Sequence, residues 1–184
     1  MRLFAAVLPP EDVTAELAVV VQELRSLPGA DALRWTGRPG WHFTLAFYGE
    51  VDEDVVPELS ARLGRVARRS EPFGLAVRGG GEFGEGRALW AGVEGDVGAL
   101  RVLAGRCEAT MVGEHRRYRA HLTVARSREA VDVRAYLDRL DEFAGRAWTV
   151  GEVAWVRSTL PGAGVPGEQP RYEVVGRWGL GAGG

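Results

Sequence analysis

The chain has 184 residues, 46% of them hydrophobic and 26% charged, which leaves little room for disorder and suits one substantial core or two small lobes sharing one. Its 23 basic residues nearly offset 25 acidic ones; a formal charge of −2 excludes a broad electrostatic grip on long duplex nucleic acid, so any nucleic-acid contact has to be local. The single cysteine, Cys107, excludes an internal disulfide framework and a Cys-rich zinc site and implies a reducing, cytoplasmic setting.

The opening run Leu3 to Leu8 is apolar but stopped by Pro9 and Pro10, too short for a membrane span, and reads as a buried first strand. Val13, Leu17, Val20, Val21 and Leu24 recur at helical spacing up to Pro28-Gly29. Trp41 to Tyr48 predicts a strand closed by Gly49, and Val55, Val56, Leu59, Leu63 and Val66 a second helix behind Asp52. Phe73 to Val77 returns to strand. Ala88 to Val93 then reads as strand, and a helix from Asp96 carries Val97, Leu100, Leu103, Cys107 and Met111 inward. His121 to Ala125 predicts a strand, Val133, Tyr136, Leu137 and Leu140 a helix, Thr149 to Val156 a strand, and Arg171 to Trp178 a last strand after the loop Pro161 to Pro170. Only the tail Gly179 to Gly184 looks loose. The order strand–helix–strand–helix–strand thus occurs twice, over approximate repeats 2–79 and 87–158, within a single domain spanning 1–184.

Two of the three histidines stand in one pattern, His42-Phe43-Thr44-Leu45 and His121-Leu122-Thr123-Val124, each in the middle strand of a repeat. Residues two apart in a strand share a face, so each His projects with its Thr. A twofold arrangement brings two imidazoles and two hydroxyls to one cleft. Hydrolysis of a phosphodiester needs a base for the attacking water and an acid for the leaving oxygen; His suits either role, and Thr hydroxyls can bind non-bridging oxygens. One such tetrapeptide alone is more readily explained by β-propensity; the matched pair is not.

At these residues the sequence resembles the 2H phosphoesterase superfamily and, within it, the RNA 2′,3′-cyclic phosphodiesterase branch, also described as 2′-5′ RNA ligase-like. The resemblance takes in Arg2 to Val7, Trp41 to Glu50, Ala88 to Gly92, His121 to Arg126, and the ending Arg171-Tyr172 and Arg177-Trp178. It implies an α+β fold of two pseudo-twofold-related lobes, antiparallel sheets with flanking helices around a central groove. The implied activity is opening of a terminal 2′,3′-cyclic phosphate to a 2′-phosphomonoester, with reverse 2′-5′ joining of RNA ends. No cofactor or metal is implied, and the implied partners are RNA ends or nucleoside 2′,3′-cyclic phosphates, with no membrane and no obligate protein partner.

By the same resemblance His42 and His121 are the catalytic pair, Thr44, Thr123 and Arg126 contact the phosphate, and Phe47 stacks on a nucleobase. Strand parity raises a difficulty: Phe47 and Arg126 each follow their His by five residues and point away from it unless a bulge intervenes, which makes Tyr48 the parity-favoured aromatic. Relatives commonly have Pro before the second histidine; here it is Ala120. Arg116, Arg117 and Arg119 read as a solvated basic loop that can also serve as a phosphate-binding rim, and His115 in that loop lacks a Thr partner. Gly79 to Gly84 matches G-x-G-x-x-G, but a strand and not a helix follows, so it reads as a hairpin loop. Histidine spacing without an acidic cluster disfavours a metal site. The alternatives are a 2H enzyme acting on another cyclic nucleotide phosphate, and a non-catalytic RNA-end-binding module.

Overall fold

The elements follow the predicted order, with informative shifts at their boundaries. The computed structural model describes residues 1–110, 117–162 and 169–181; Met111, His115, Arg116 and much of the loop before Pro170 lie outside the described residues.

Strand β1 (Arg2–Val7) is buried over five of its six residues, because β3 (Phe43–Glu50) and β8 (Glu152–Thr159) pair with it on its two sides and both its faces are covered. Leu3, Ala5 and Val7 enter the main core, while Phe4 and Ala6 pack with Ala154 and Val156 on the opposite face. The order in this sheet is β3-β1-β8-β9, with β9 spanning Arg171–Gly179. The second sheet runs β2-β6-β5-β4-β7, from Arg34–Trp35, Leu122–Arg126, Ala88–Gly95, Phe73–Phe83 and Trp148–Val150, respectively. All pairings are antiparallel.

The two sheets share a pattern, β3-β1-β8 in one and β6-β5-β4 in the other, and each takes its third strand from the other sequence segment. β4 closes the first segment yet pairs with β5, and β8 closes the second yet pairs with β1. Segments and sheets therefore do not coincide.

Helix α1 (Glu11–Arg25) buries Val13, Leu17, Val20, Val21 and Leu24, the predicted stripe, and places Glu11 and Asp12 at its positive end. Arg139 of α4 (Arg134–Asp141) pairs with Glu23 of α1, and Arg146 reaches Asp12 and Glu16 of the same helix. Helix α2 (Val56–Arg68) lies against β9, where Gly64 lets the Trp178 indole approach, and α3 (Val97–Glu108) lies against β3. Cys107 is fully buried in α3, as its spacing indicates, and burial pushes its thiol up to about 12. Among the described residues no helix is long and apolar enough to cross a membrane.

Three expectations need correction. The strand expected over Thr149 to Val156 is broken at Gly151 into β7 and β8, which belong to different sheets. Apolar alternation reports burial and is blind to a change of pairing partner. Gly79 to Gly81 are not in a hairpin loop: β4 runs on through them to Phe83, and the turn occupies residues 84–87. Gly80 and Gly81 are there for space, since a Cβ on Gly81 would sit 2.2 Å from the Trp90 ring and one on Gly80 would sit 2.6 Å from Leu140, whereas Gly79 takes a left-handed φ of +63°. Finally, Gly179 ends β9 and Leu180 is buried, its N–H bonded to the Gly151 carbonyl, so the start of the tail is held.

Candidate active site

His42 and His121 each stand one residue before a strand, β3 and β6, which begin slightly later than the sequence suggests; β3 is an edge strand. Freed from the ladder at that residue, each ring turns back on its own backbone. His42 Nδ1 lies 2.8 Å from the Gly40 carbonyl and His121 Nδ1 lies 2.7 Å from the Arg119 carbonyl. A carbonyl only accepts, so both Nδ1 atoms carry the proton and both rings present Nε2 outward. Thr44 Oγ1 is 3.1 Å from His42 Nε2.

The parity difficulty is settled by two matching bulges. In the β1–β3 ladder Ala5 pairs with Ala46 and Ala6 with Thr44, so Leu45 is the extra residue; in the β5–β6 ladder Leu89 pairs with Ala125 and Trp90 with Thr123, so Val124 is extra. Each bulge lies three residues after its histidine and shifts the side chains that follow it to the other face, until a second bulge at Tyr48 in β3. The extra residues and their successors are buried, and Phe47 and Arg126 come round to the side of the histidines. Tyr48 is carried away from the site: its hydroxyl donates to the Cys107 carbonyl at 2.9 Å.

One pocket of about 290 Å³ collects His42, Thr44, Phe47, His121, Thr123 and Arg126, the six residues singled out in the sequence. Arg126 makes no ion pair among the described residues. The sequence reading misses further residues that line the pocket or pack behind its two imidazoles. Phe4 and Tyr172 pack on the His42 ring at 4.7 and 5.5 Å, and Phe83 and Trp90 on the His121 ring at 5.0 and 6.0 Å. Arg2 lies 4.6 Å over the Phe47 ring. Ser158 is 8% exposed, lines the pocket and has no hydrogen-bond partner for its hydroxyl. No local signal marks these residues, because long-range pairing alone brings β1, β8 and β9 beside the first motif and β4 and β5 beside the second. Among the described residues no three His, Cys, Asp or Glu side chains are grouped to hold a metal ion.

Burial, together with repulsion from His121 and Arg126 and against the opposing bond to Gly40, lowers the pKa of His42 to about 4. The free protein thus holds His42 neutral at neutral pH. An anion between the rings counters the repulsion and favours the charged form. The His42 resonance is therefore expected to titrate near pH 4 in the free protein and to move upward when inorganic phosphate is added; an NMR titration checks both. The folded-state pKa lies below the unfolded value near 6.5, so between these the unfolded chain binds more protons, and stability falls as pH drops from 6.5 towards 4, by up to about 3 kcal/mol. His42→Gln removes this loss, which denaturant melts at pH 7 and pH 4.5 would show.

Paired histidines with their threonines, held at a seam between two antiparallel sheets with flanking helices, define a two-histidine phosphoesterase architecture. A family model described as LigT like Phosphoesterase matches residues 7–90. The RNA 2′,3′-cyclic phosphodiesterase of Thermus thermophilus is 32% identical across 98% of this chain and 90% of its own length. That of Aeropyrum pernix is 32% identical over 61% of this chain and 71% of its own. Among solved structures, TT0787 of Thermus thermophilus superimposes with a TM-score of 0.76 at 29% identity over 98% of each chain. Apo LigT of E. coli superimposes with a TM-score of 0.76 at 25% identity, over 98% of this chain and 97% of its own. The chain belongs to the LigT-like phosphoesterase family.

Proposed function

We propose that the protein hydrolyses terminal 2′,3′-cyclic phosphates to 2′-phosphomonoesters with His42 and His121 as its proton-transfer pair. The observation that carries the reading is that two outward Nε2 atoms, two threonines and one arginine without a carboxylate partner line a single pocket. The naming of the Thermus relative and a crystal structure of E. coli LigT complexed with phosphate support it.

The cyclic phosphate sits between the two rings. One imidazole accepts a proton from water as the water oxygen bonds to phosphorus; the other donates a proton to O3′ as the P–O3′ bond breaks. One water is consumed, and the 2′ ester remains. Thr44, Thr123 and Arg126 bind the non-bridging oxygens, where charge accumulates, and Phe47 provides a face for the base. Both Nδ1–H bonds to backbone carbonyls fix the rings so that each Nε2 does the chemistry. In reverse, the same groups support 2′-5′ joining of RNA ends. A cytoplasmic setting, which the lone buried thiol of Cys107 suits, is part of this proposal.

Incubating a nucleoside 2′,3′-cyclic phosphate with the pure protein in chelator tests the reading. The expected product is the nucleoside 2′-phosphate, separated from its 3′ isomer by chromatography. Activity lost in chelator and restored by added metal overturns the metal-free scheme, and a 3′-phosphate product overturns the regiochemistry. Binding without turnover would favour the non-catalytic alternative.

A further inference from the structure

We infer that Tyr118 is a positioning residue whose hydroxyl ties the second histidine motif to the first across the seam and holds the two imidazoles at their working separation. This rests on the activity proposed above and adds a residue to the site that performs it. The two motifs belong to different sheets, and β3, which follows His42, is the edge strand of its own. No ladder holds its outer side among the described residues. Tyr118 takes that place: its hydroxyl donates to the Thr44 carbonyl at 3.0 Å, while its ring packs against the main core between the exposed Arg117 and Arg119. Among the described residues no other hydrogen bond joins residues 117–126 to residues 40–50.

The bond completes a short track from one imidazole to the other. Thr44 Oγ1 stands 3.1 Å from His42 Nε2, and the carbonyl of the same residue accepts from the Tyr118 hydroxyl. One residue on, the Arg119 carbonyl accepts from His121 Nδ1 at 2.7 Å. A displacement at any link is therefore felt at both rings. Proton transfer tolerates little: each Nε2 has to come within hydrogen-bond reach of its own oxygen on one phosphorus, and an error of about 1 Å costs on the order of 10²-fold. Burial, with the Cys107 thiol nearby adding to it, pushes the Tyr118 phenol up, so the hydroxyl stays a donor wherever the imidazoles work. Packing alone does not ask for that hydroxyl, since a phenylalanine ring would fill the same space. The sequence reading passes the residue over, because it stands among arginines that read as a solvated loop.

Tyr48 supplies the control. It lies on the same strand, and its hydroxyl also donates to a backbone carbonyl, that of Cys107, but off the track between the imidazoles. Thermal melts and steady-state kinetics on adenosine 2′,3′-cyclic phosphate compare Tyr118→Phe with Tyr48→Phe. Both variants should melt somewhat below the wild type, each having lost one hydrogen bond. Tyr118→Phe should lower kcat about tenfold with KM changed less than about threefold, whereas Tyr48→Phe should keep the wild-type kcat. An unchanged kcat in Tyr118→Phe, an equal loss in both variants, or a loss carried by KM overturns the role. Should the wild type itself not turn the substrate over, the activity fails separately, and inorganic phosphate decides the positioning role. Weaker phosphate binding by Tyr118→Phe than by Tyr48→Phe, read from the His42 and His121 resonances, upholds it, and equal or tighter binding overturns it.

Discussion

Replacing either His42 or His121 with alanine is expected to lower kcat on a 2′,3′-cyclic phosphate by about 10²–10⁴-fold while changing KM much less, because each removal takes away one proton-transfer partner from a single transition state. The double variant should be scarcely slower than either single one, since groups acting as a unit are not additive. Thr44→Ala and Thr123→Ala should be milder, each losing a hydrogen bond to phosphate and leaving the proton chemistry intact. Steady-state kinetics at several pH values measure all of these together. Near-normal turnover by either histidine variant would end the acid–base assignment.

The second large effect concerns a residue that meets the site only through another side chain. Gly81→Ala is expected to destabilise the fold by about 3 kcal/mol, because the new Cβ meets three atoms of the Trp90 indole between 2.2 and 2.8 Å away and the ring must leave its packing on Phe83 to make room. The displaced indole packs against both Phe83 and His121, so turnover should fall as well. Gly98→Ala in α3, where a Cβ meets nothing within 4 Å, should leave activity unchanged and raise stability by about 0.5 kcal/mol. Thermal melts and turnover of the two variants, side by side, separate crowding at Trp90 from any general effect of losing a glycine. Wild-type stability in Gly81→Ala would show that the indole moves freely.

The contrast between these two predictions marks what local sequence carries. The histidine–threonine pairs are legible because a period of two along a strand survives in any fold that keeps the strand. The helical stripes of α1 and α3 are legible for the same reason, at a period of 3.6. The glycines of β4 mislead, since a residue chosen to admit a ring from the next strand looks like one chosen to let the chain turn. Phe47 and Arg126 are legible only through resemblance, because the bulges at Leu45 and Val124 are properties of a pair of strands and leave no mark on one. Ser158, Arg2 and Tyr172 reach the pocket through strands far from either motif, and nothing in their neighbours announces it.

The exchange of third strands between the sheets has a consequence for how the two histidines are kept in register. A bilobal enzyme whose halves are joined by one crossing can yawn about that crossing, and its catalytic distance then depends on a hinge. Here the backbone crosses the seam with β4 and again with β8, each laced into the far sheet by a full ladder. The chain also passes between the sheets before and after β2, four crossings in all among the described elements, so the two sheets cannot part about a single hinge, and the spacing of the two imidazoles is held by several backbone connections at once.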